Sequence, residues 1–390
     1  MSAHDASKQK ILLVSNDFGP RAGGIESFVI GLLERLPSGL CTVYASQQGD
    51  TSAYDERWLV DHGFPVIRDR SRILLPTPRV IREVSQVIAR EGVTHLWFGA
   101  AAPLALILPF LKRKYPSLKG IALTHGHEVW WAKIPPFSLL LRFMSRHLDQ
   151  IGYLTDYTRL EISKGLRQGD REKLIQISPG IDINHFKPVT DDKAVNDLRE
   201  QLDLVGKRII ISVGRLVHRK GQDRLIEALP AIRAEFPAVH LLLVGEGPYR
   251  SRLKDLAKRM GVEDAVTFLG RLQWDQLPIH LSIAELFAMP SRDRLAGFEV
   301  EGLGIVYLEA SSCALPVVVG RSGGAPDALI DGETGILVDG NDSASVAKAC
   351  MTMLRDPIRA KQMGQKGREW VIAKWNWDRW AAIFQGALLR

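Results

Sequence analysis

The sequence predicts an α/β protein built from two Rossmann-like halves, and three observations lead to this prediction. Its 390 residues are long for one hydrophobic core and suit two domains. A hydrophobic fraction of 46% and 34 glycines are typical of globular α/β proteins. In each half of the chain, short apolar runs typical of strands alternate with helical segments. This succession indicates mostly parallel sheets with helices on both faces.

The first half opens with a buried-strand pattern over Ile11–Ser15, a glycine-bearing loop and a helix from about Ile25 to Leu36. The adjacent Gly23 and Gly24 lie at the carboxyl end of that strand, where the backbone can approach a ligand closely. A plain tight turn is the alternative interpretation. Neither G-x-G-x-x-G nor a Walker loop is present, which disfavours a nicotinamide oxidoreductase.

Two histidines follow the later strand GIALTHG. His125 and His127 fall at its carboxyl end, where parallel sheets bind ligands. A histidine pair could ligate a metal, but no third ligand is suitably spaced, and a satisfied loop histidine is the alternative. The residues alone therefore do not predict a metal site here.

The segment from Val129 to Arg146 interleaves apolar side chains with cations. Trp130, Trp131, Phe137 and Arg142 are typical of the interface of an anionic membrane. An ordinary helix that packs its apolar side on the core explains the pattern equally well. Both interpretations stay open from the sequence alone.

A charged segment from His185 to about Asp203 indicates an interdomain linker. We expect an N-terminal domain over residues 1–187, a second domain over 188–372 and a last helix over 373–390. Arg215 and Lys220 follow the first strand of the second half, five residues apart. An arginine fork and a lysine point charge can together neutralise a diphosphate, although surface cations are the commoner case.

The chain is organised around the stretch from Met289 to Gly324. Its pattern predicts a strand end, a polar loop, a helix from about Ile305 and a second strand. Glu301 in the loop and Glu309 on the helix have seven residues between them. The free amides of a helix N-terminus favour an anion. The residues of this terminus are Gly302, Leu303, Gly304 and Ile305.

These motifs, taken together, resemble the retaining glycosyltransferases of the two-Rossmann-domain type, sequence family 4. The resemblance follows chain order through GGIES, THGHE, GRLVHRKGQD, VGEGPY, VTFLG, VEGLGIVYLEA, SGGAPD and WNWD. It implies two domains that face a cleft, the first for the acceptor and the second for a nucleotide-sugar donor. It also implies a last helix that crosses back to the first domain.

The resemblance also implies roles for single residues. Glu301 then faces the transferred sugar with His127, Glu309 binds the ribose, and Leu272 lies at the base pocket. Arg215 and Lys220 complete the catalytic set, because fixed cations stabilise the charge that a leaving diphosphate gains. Leu295 and Ala296 stand where glycines are typical of the family, so the shape of the sugar pocket is open.

Within family 4 the chain is most similar to actinobacterial phosphatidylinositol-mannoside mannosyltransferases. This resemblance implies transfer of mannose from GDP-mannose in an α-1,6 linkage. Alternatives are a transferase that uses a UDP-sugar and a soluble acceptor, a sugar epimerase, and a non-catalytic nucleotide-sugar binder. A glycosidase acid pair fits less well, because the two acids lie beside cations.

Charge and composition limit the partners. A net charge of +7 favours anionic ligands, and we expect a nucleotide sugar and an anionic lipid rather than nucleic acid. The three cysteines are widely spaced, and no Asp-x-Asp motif occurs, so we expect neither a metal nor another cofactor. No secretory or membrane-spanning pattern is present, which favours a cytoplasmic protein, peripheral at the inner face of the plasma membrane. The sequence does not predict the oligomeric state.

Overall fold

The computed structural model describes residues 9–21, 23–126 and 128–390, except for the side chain of Ala296. The chain forms two compact units. The first unit contains the residues up to Gly180 together with Trp377–Arg390, and the second contains Ile181–Asn376. Each unit has its own sheet and its own buried core.

The sheet of the first unit has the strand order β3-β2-β1-β4-β5-β6-β7 within the described residues, and every pairing is parallel. Its strands are β1 (Ile11–Ser15), β2 (Cys41–Ala45), β3 (Val66–Arg68), β4 (His95–Phe98), β5 (Lys119–Leu123), β6 (Gln150–Tyr153) and β7 (Leu174–Gln176). Its helices are α1 (Gly24–Leu33), α2 (Ser52–His62), α3 (Pro78–Glu91), α4 (Leu108–Lys114), α5 (Glu128–Lys133), α6 (Phe137–His147), α7 (Asp156–Gly165) and α8 (Gln168–Arg171).

Strand β1 shows why this sheet is covered on both faces. Leu12 and Val14 belong to one buried apolar cluster, whereas Ile11 and Leu13 belong to another. Side chains alternate between the faces of a strand, so both faces are packed. Parallel strands that are buried in this way have continuous apolar sequences.

The sheet of the second unit has the order β10-β9-β8-β11-β12-β13, again with parallel pairings. Its strands are β8 (Arg208–Val213), β9 (Val239–Val244), β10 (Val266–Gly270), β11 (Leu286–Met289), β12 (Val317–Gly320) and β13 (Gly335–Val338). Its helices are α9 (Asp192–Gln201), α10 (Gln222–Glu235), α11 (Arg250–Arg259), α12 (Leu277–Ser282), α13 (Ile305–Ser312), α14 (Ser343–Arg355) and α15 (Pro357–Lys374). The predicted α/β architecture with two Rossmann-like sheets is confirmed.

The boundary between the units differs from the one that the linker composition suggested at residue 187. Residues after Gly180 bond within the second unit: the Ile181 amide donates to the carbonyl oxygen of Trp375 at 2.7 Å. The carbonyl oxygen of Phe186 accepts from the Ser312 hydroxyl at 2.5 Å. A charged composition marked solvent exposure, and these backbone contacts decide to which unit the segment belongs.

The last helix, α16 (Trp377–Leu388), belongs to the first unit. Phe384 on this helix is fully buried and lies against Trp97 of β4, with 4.6 Å between ring centroids. It begins four residues after the boundary that the sequence suggested at residue 373, since α15 runs on to Lys374. No helix within the described residues is both long and apolar enough to span a bilayer.

Candidate active site

The strand order of the second unit identifies a ligand-binding edge. The chain leaves β8 toward β9 on one side, whereas β11 pairs with β8 on the other side. Open α/β sheets bind ligands outside the carboxyl ends of the strands at such a switch point. The loops that follow β8 and β11 both begin there, and they contain the cations and acids that the sequence singled out.

Glycine at position 221 allows these two loops to touch. Gly221 has a φ of +77°, and a Cβ atom there would lie 1.9 Å from the carbonyl oxygen of Pro290. The Arg292 amide also donates to the carbonyl oxygen of Arg219 at 2.9 Å. The loop after β8 is therefore fixed against the loop after β11 by backbone contacts.

Glu301 is at the centre of a buried ion cluster. Its Oε2 atom lies 2.6 Å from Arg219 Nη1 and 2.8 Å from Lys220 Nζ. Glu301 is only 6% exposed. Burial opposes ionisation, but the charges and hydrogen bonds of Lys220 and Arg219 outweigh it and hold the pKa of Glu301 below its ordinary value. The acid is an anion at neutral pH.

The backbone of Glu301 is held as firmly as its side chain. Its amide donates to Ser322 Oγ at 3.0 Å, and its carbonyl oxygen accepts from the Gly324 amide at 2.8 Å. The Ser322 hydroxyl in turn donates to Asp293 Oδ1 at 2.8 Å. The loop after β12 thus supports the loop that carries Glu301.

Helix α13 starts beside this cluster. Gly304 precedes it with a φ of +77°, and a Cβ atom at this position would lie 2.4 Å from the Tyr307 ring. Leu303 is buried, whereas Ile305 is partly exposed. The first amides of an α-helix have no partner within the helix, so this terminus is suited to an anionic group.

Glu309, on the same helix, has a raised pKa, whereas the pKa of Glu301 is lowered. Burial raises the pKa of Glu309 to about 7, and the charge of Lys220 opposes this only in part. Lys220 acts on both carboxyls and contacts Glu301 directly. The structure therefore brings Lys220, Glu301 and Glu309 together, and their roles toward a donor stay predictions.

Arg215 lies apart from the Glu301 cluster. It follows Gly214 at the carboxyl end of β8 and is exposed. Among the described residues its guanidinium forms no ion pair. Leu272 follows β10 at the same edge of the sheet and is half-buried. Both residues are at the ligand-binding edge, and their contacts to a nucleotide stay predictions.

Arg219 is the site residue that the sequence analysis missed. Its guanidinium contacts Glu301 at 2.6 Å and Glu299 at 3.8 Å. Arg215 and Lys220, the two cations of the family motif, lie on either side of it in the sequence. The sequence did contain a signal for this contact: two adjacent cations, Arg219 and Lys220, in one loop, and two acids, Glu299 and Glu301, in the other.

Relatives of the chain carry named activities. A sequence profile described as "Glycosyl transferases group 1" matches residues 195–370. The GDP-mannose-dependent alpha-(1-6)-phosphatidylinositol monomannoside mannosyltransferase of Mycolicibacterium smegmatis is 41% identical over 94% of this chain and 95% of its own length. The chain belongs to the group 1 glycosyl transferases.

Two further similarities agree with this membership. A GDP-mannose-dependent monoacylated alpha-(1-6)-phosphatidylinositol monomannoside mannosyltransferase of Corynebacterium glutamicum is 38% identical to this glycosyltransferase over 96% of each chain. Among solved structures, Anabaena HepE in complex with UDP aligns with a TM-score of 0.80 at 20% identity, covering 97% of this chain and 99% of that one. This structural likeness concerns the fold alone.

In the first unit of this glycosyltransferase, Gly23 precedes α1 and Gly24 is its first residue. The Glu26 carboxylate folds back against Gly23 and pairs with Arg21 at 2.8 Å. His125 has its Nε2 atom 2.5 Å from the carbonyl oxygen of Gly99. His127, the predicted sugar contact, lies outside the described residues.

The three aromatic residues for which the sequence left membrane contact and core packing open are buried or half-buried. Trp131 is buried, and Trp130 and Phe137 are half-buried, with ring centroids of all three within 4.7–5.6 Å of one another. They pack on the core of the first unit, which satisfies their apolar surface. Arg142 is exposed, and its Nε atom donates to the carbonyl oxygen of Gly165 at 2.9 Å.

A cluster of three or more metal-ligating side chains is absent from the part of the chain that the structure describes. The expectation of a metal-independent glycosyltransferase stays a prediction. Cys41, Cys313 and Cys350 are buried free thiols.

Proposed function

We propose that this glycosyltransferase moves mannose from GDP-mannose to a phosphatidylinositol mannoside and forms an α-1,6 linkage with retention. The observation that carries the proposal is an identity of 38–42%, along almost the whole chain, to mannosyltransferases named for this donor and acceptor. The cluster of Lys220, Glu301 and Glu309 supports it, because it offers the charge and the acceptors that a nucleotide sugar requires.

The donor is held mainly by the second unit. Arg215, Lys220 and the amides from Gly302 to Ile305 bind the diphosphate, with Leu272 at the base. Glu309 accepts hydrogen bonds from the ribose hydroxyls, and Glu301 binds the mannose. Neither a metal nor another cofactor is required.

Transfer then depends on the stabilisation of the leaving group. The bond between mannose C1 and the diphosphate oxygen breaks. The acceptor hydroxyl adds to C1 from the same side and gives its proton to the departing diphosphate. Lys220 and Arg215 offset the negative charge that develops on the departing diphosphate. Glu301 stays ionised throughout, because its pKa lies below the ordinary value, and it orients the sugar hydroxyls.

The acceptor headgroup binds in the first unit. A cavity of about 580 Å³ lies at the carboxyl ends of β1 and β2, and its lining consists of Pro20, Arg21, Gln47, Gln48, Gly49 and Arg72. Guanidinium groups suit the phosphate of a phosphoinositide, and amide side chains suit its ring hydroxyls. The exposed Arg72 is the main cation for this phosphate.

Helix α6 supplies the contact with the bilayer. Leu139 is 60% exposed and Phe143 is 40% exposed, and Arg142 and Arg146 on the same helix are exposed as well. Exposed apolar side chains beside cations bind an anionic lipid surface. The proposal includes a peripheral location at the inner face of the plasma membrane, where a cytoplasmic nucleotide sugar meets a lipid acceptor.

The decisive experiment incubates the purified protein with phosphatidylinositol monomannoside in mixed micelles and either GDP-mannose or UDP-glucose. We expect the lipid to gain one hexose with GDP-mannose alone, and Glu301→Ala to abolish the gain. Transfer from UDP-glucose, or transfer only to a soluble glycan, would establish the alternative transferase. Tight GDP-mannose binding without any transfer would establish a non-catalytic binder.

A further inference from the structure

Two cations share one oxygen atom of Glu301. Arg219 Nη1 lies 2.6 Å and Lys220 Nζ lies 2.8 Å from Oε2. One cation is enough to neutralise one carboxylate. A second cation keeps the carboxylate paired when the first turns to another partner, and a diphosphate is such a partner for Lys220 under the proposed function.

The surroundings assign the two cations to different tasks. The Lys220 side chain is only 10% exposed, so its ammonium group interacts with the ion cluster rather than with bulk water. Arg219 is anchored on Glu301 and by Glu299, whose Oε1 lies 3.8 Å from its Nε atom. The Arg219 carbonyl oxygen also accepts from the Arg292 amide at 2.9 Å. Arg219 is therefore fixed to the acids, whereas Lys220 acts on both Glu301 and Glu309.

The charges that face Glu301 show what would follow without this anchor. Arg219 and Lys220 contact it, the buried Tyr307 lies close to it, and Glu309 lies beyond Lys220. If Lys220 turned to a diphosphate and Arg219 were absent, Glu301 would be a buried anion without a cationic partner. Such an acid takes up a proton at a higher pH.

We propose that Arg219 is a positioning residue that holds Glu301 charge-paired and oriented toward the sugar while Lys220 binds the donor diphosphate. This inference rests on the proposed function. It predicts that Arg219 serves the transfer step more than donor binding. Lys220, in contrast, serves both.

The test compares Arg219→Met, Arg219→Lys and the control Arg294→Met in the micelle assay. Arg294 lies on the loop that carries Glu301 and pairs with Glu299 at 3.0 Å. Its ion pairs among the described residues do not include Glu301. We expect Arg219→Met to lower kcat about a hundredfold, with the KM for GDP-mannose changed less than about threefold. In Arg219→Met the acidic limb of the pH profile of kcat should move to higher pH by about one unit. Arg219→Lys should recover about tenfold of the lost kcat. Arg294→Met should resemble the unaltered protein.

Other results would overturn the proposal. A raised KM with unchanged kcat would make Arg219 a simple donor-binding residue. An unmoved acidic limb, or equal losses in Arg294→Met and Arg219→Met, would reduce it to a structural role. Arg219→Met could also lose activity because it is less stable. Arg219→Lys keeps the charge, so its recovery of kcat distinguishes this case from the others.

A failure of the proposed function is distinguishable from a failure of this inference. If the unaltered protein transfers no mannose, the proposed function fails. The inference is then decided by the titration of the Glu301 carboxyl. Carbon NMR monitors this titration with saturating GDP, in the unaltered protein and in Arg219→Met. An equal titration midpoint in both would overturn it.

Discussion

The Tyr307 hydroxyl donates to the carbonyl oxygen of Met289 at 2.6 Å and joins helix α13 to the end of strand β11. It also lies 2.9 Å from Ser291 Oγ, and it is completely buried. This contact fixes the helix that carries Glu309 to the strand that precedes the Glu301 loop. The spacing of the two acids in space thus depends on a tyrosine that contacts neither of them through its hydroxyl.

Replacement of this hydroxyl tests the connection. We expect Tyr307→Phe to lower the free energy of unfolding by about 1–3 kcal/mol, because the buried Met289 carbonyl and Ser291 hydroxyl lose a partner. The measurement is urea denaturation, with GDP-mannose affinity recorded alongside. Unchanged stability together with unchanged affinity would show that the hydroxyl does not support the site.

The titration of Glu309 predicts a pH dependence of donor binding. Its folded pKa is about 7. Under the proposed function, the ribose hydroxyls would donate to the ionised form. Affinity for GDP-mannose should therefore rise about tenfold from pH 6 to pH 8, as the carboxyl loses its proton. Calorimetry at several pH values measures this, and Glu309→Gln should give a flat profile. A rise that persists in Glu309→Gln would assign it to another group.

The same shift has a consequence for stability. An unfolded chain releases the Glu309 proton near the ordinary pKa of 4.5, whereas the folded protein keeps it up to about pH 7. Between these values the folded state binds more protons, so this group lowers the free energy of unfolding as pH rises. Glu309→Gln should remove that part of the decline.

Leu295 predicts a stabilising substitution. It has a φ of +51°, which costs a residue other than glycine about 1–2 kcal/mol, and its side chain is 68% exposed. We expect Leu295→Gly to be about 1 kcal/mol more stable than Leu295→Ala, which removes the same exposed side chain but keeps the backbone strain. Equal midpoints in thermal unfolding would contradict the strain.

Arg72 predicts a selective loss of acceptor binding. We expect Arg72→Gln to raise the KM for phosphatidylinositol monomannoside about tenfold without changing the KM for GDP-mannose, since a charge-assisted phosphate contact is lost. Arg70→Gln, an exposed residue of the same loop outside the cavity lining, is the matched control. Equal effects of both substitutions would point to general charge attraction.

Helix α6 predicts which substitutions release the protein from lipid. Phe143→Ser should weaken sedimentation with phosphatidylglycerol-containing vesicles about threefold or more, because apolar area leaves the bilayer. Leu160→Ser is the control, since Leu160 is 52% exposed on helix α7. Vesicle binding that is equally weak in both variants would argue against α6 as the contact.

The sequence predicted the architecture because its signals are local. The buried strand over Ile11–Ser15 was predicted to the residue, and α13 was predicted to start at about Ile305, where the structure begins it, since continuous apolar runs and glycine turns define both elements. Strand β3 was missed, because Val66–Arg68 is too short to form a pattern. The membership of residues after Gly180 depends on backbone contacts to Trp375, which no local composition encodes.

The site was predicted in its acids and only in part in its cations. The spacing of Glu301 and Glu309 can be read from the sequence. Which of Arg215, Arg219 and Lys220 contacts Glu301 depends on how the 3-10 turn over His218–Lys220 orients each side chain. The burial of the aromatic residues of α5 could not be predicted for a similar reason. Whether Trp131 lies inside or outside depends on the packing of α5, and its composition fits both.

The chain enters the second unit after Gly180 and leaves it before Trp377, so the second unit is an insertion within the first. Phe384 and Leu388 of α16 complete an apolar cluster that also contains Ile11 and Leu13 of the first strand. During translation, this apolar cluster therefore cannot be completed until α16 has been synthesised, which happens after the whole second unit. We expect the second unit to acquire protease resistance on the ribosome before the first unit does.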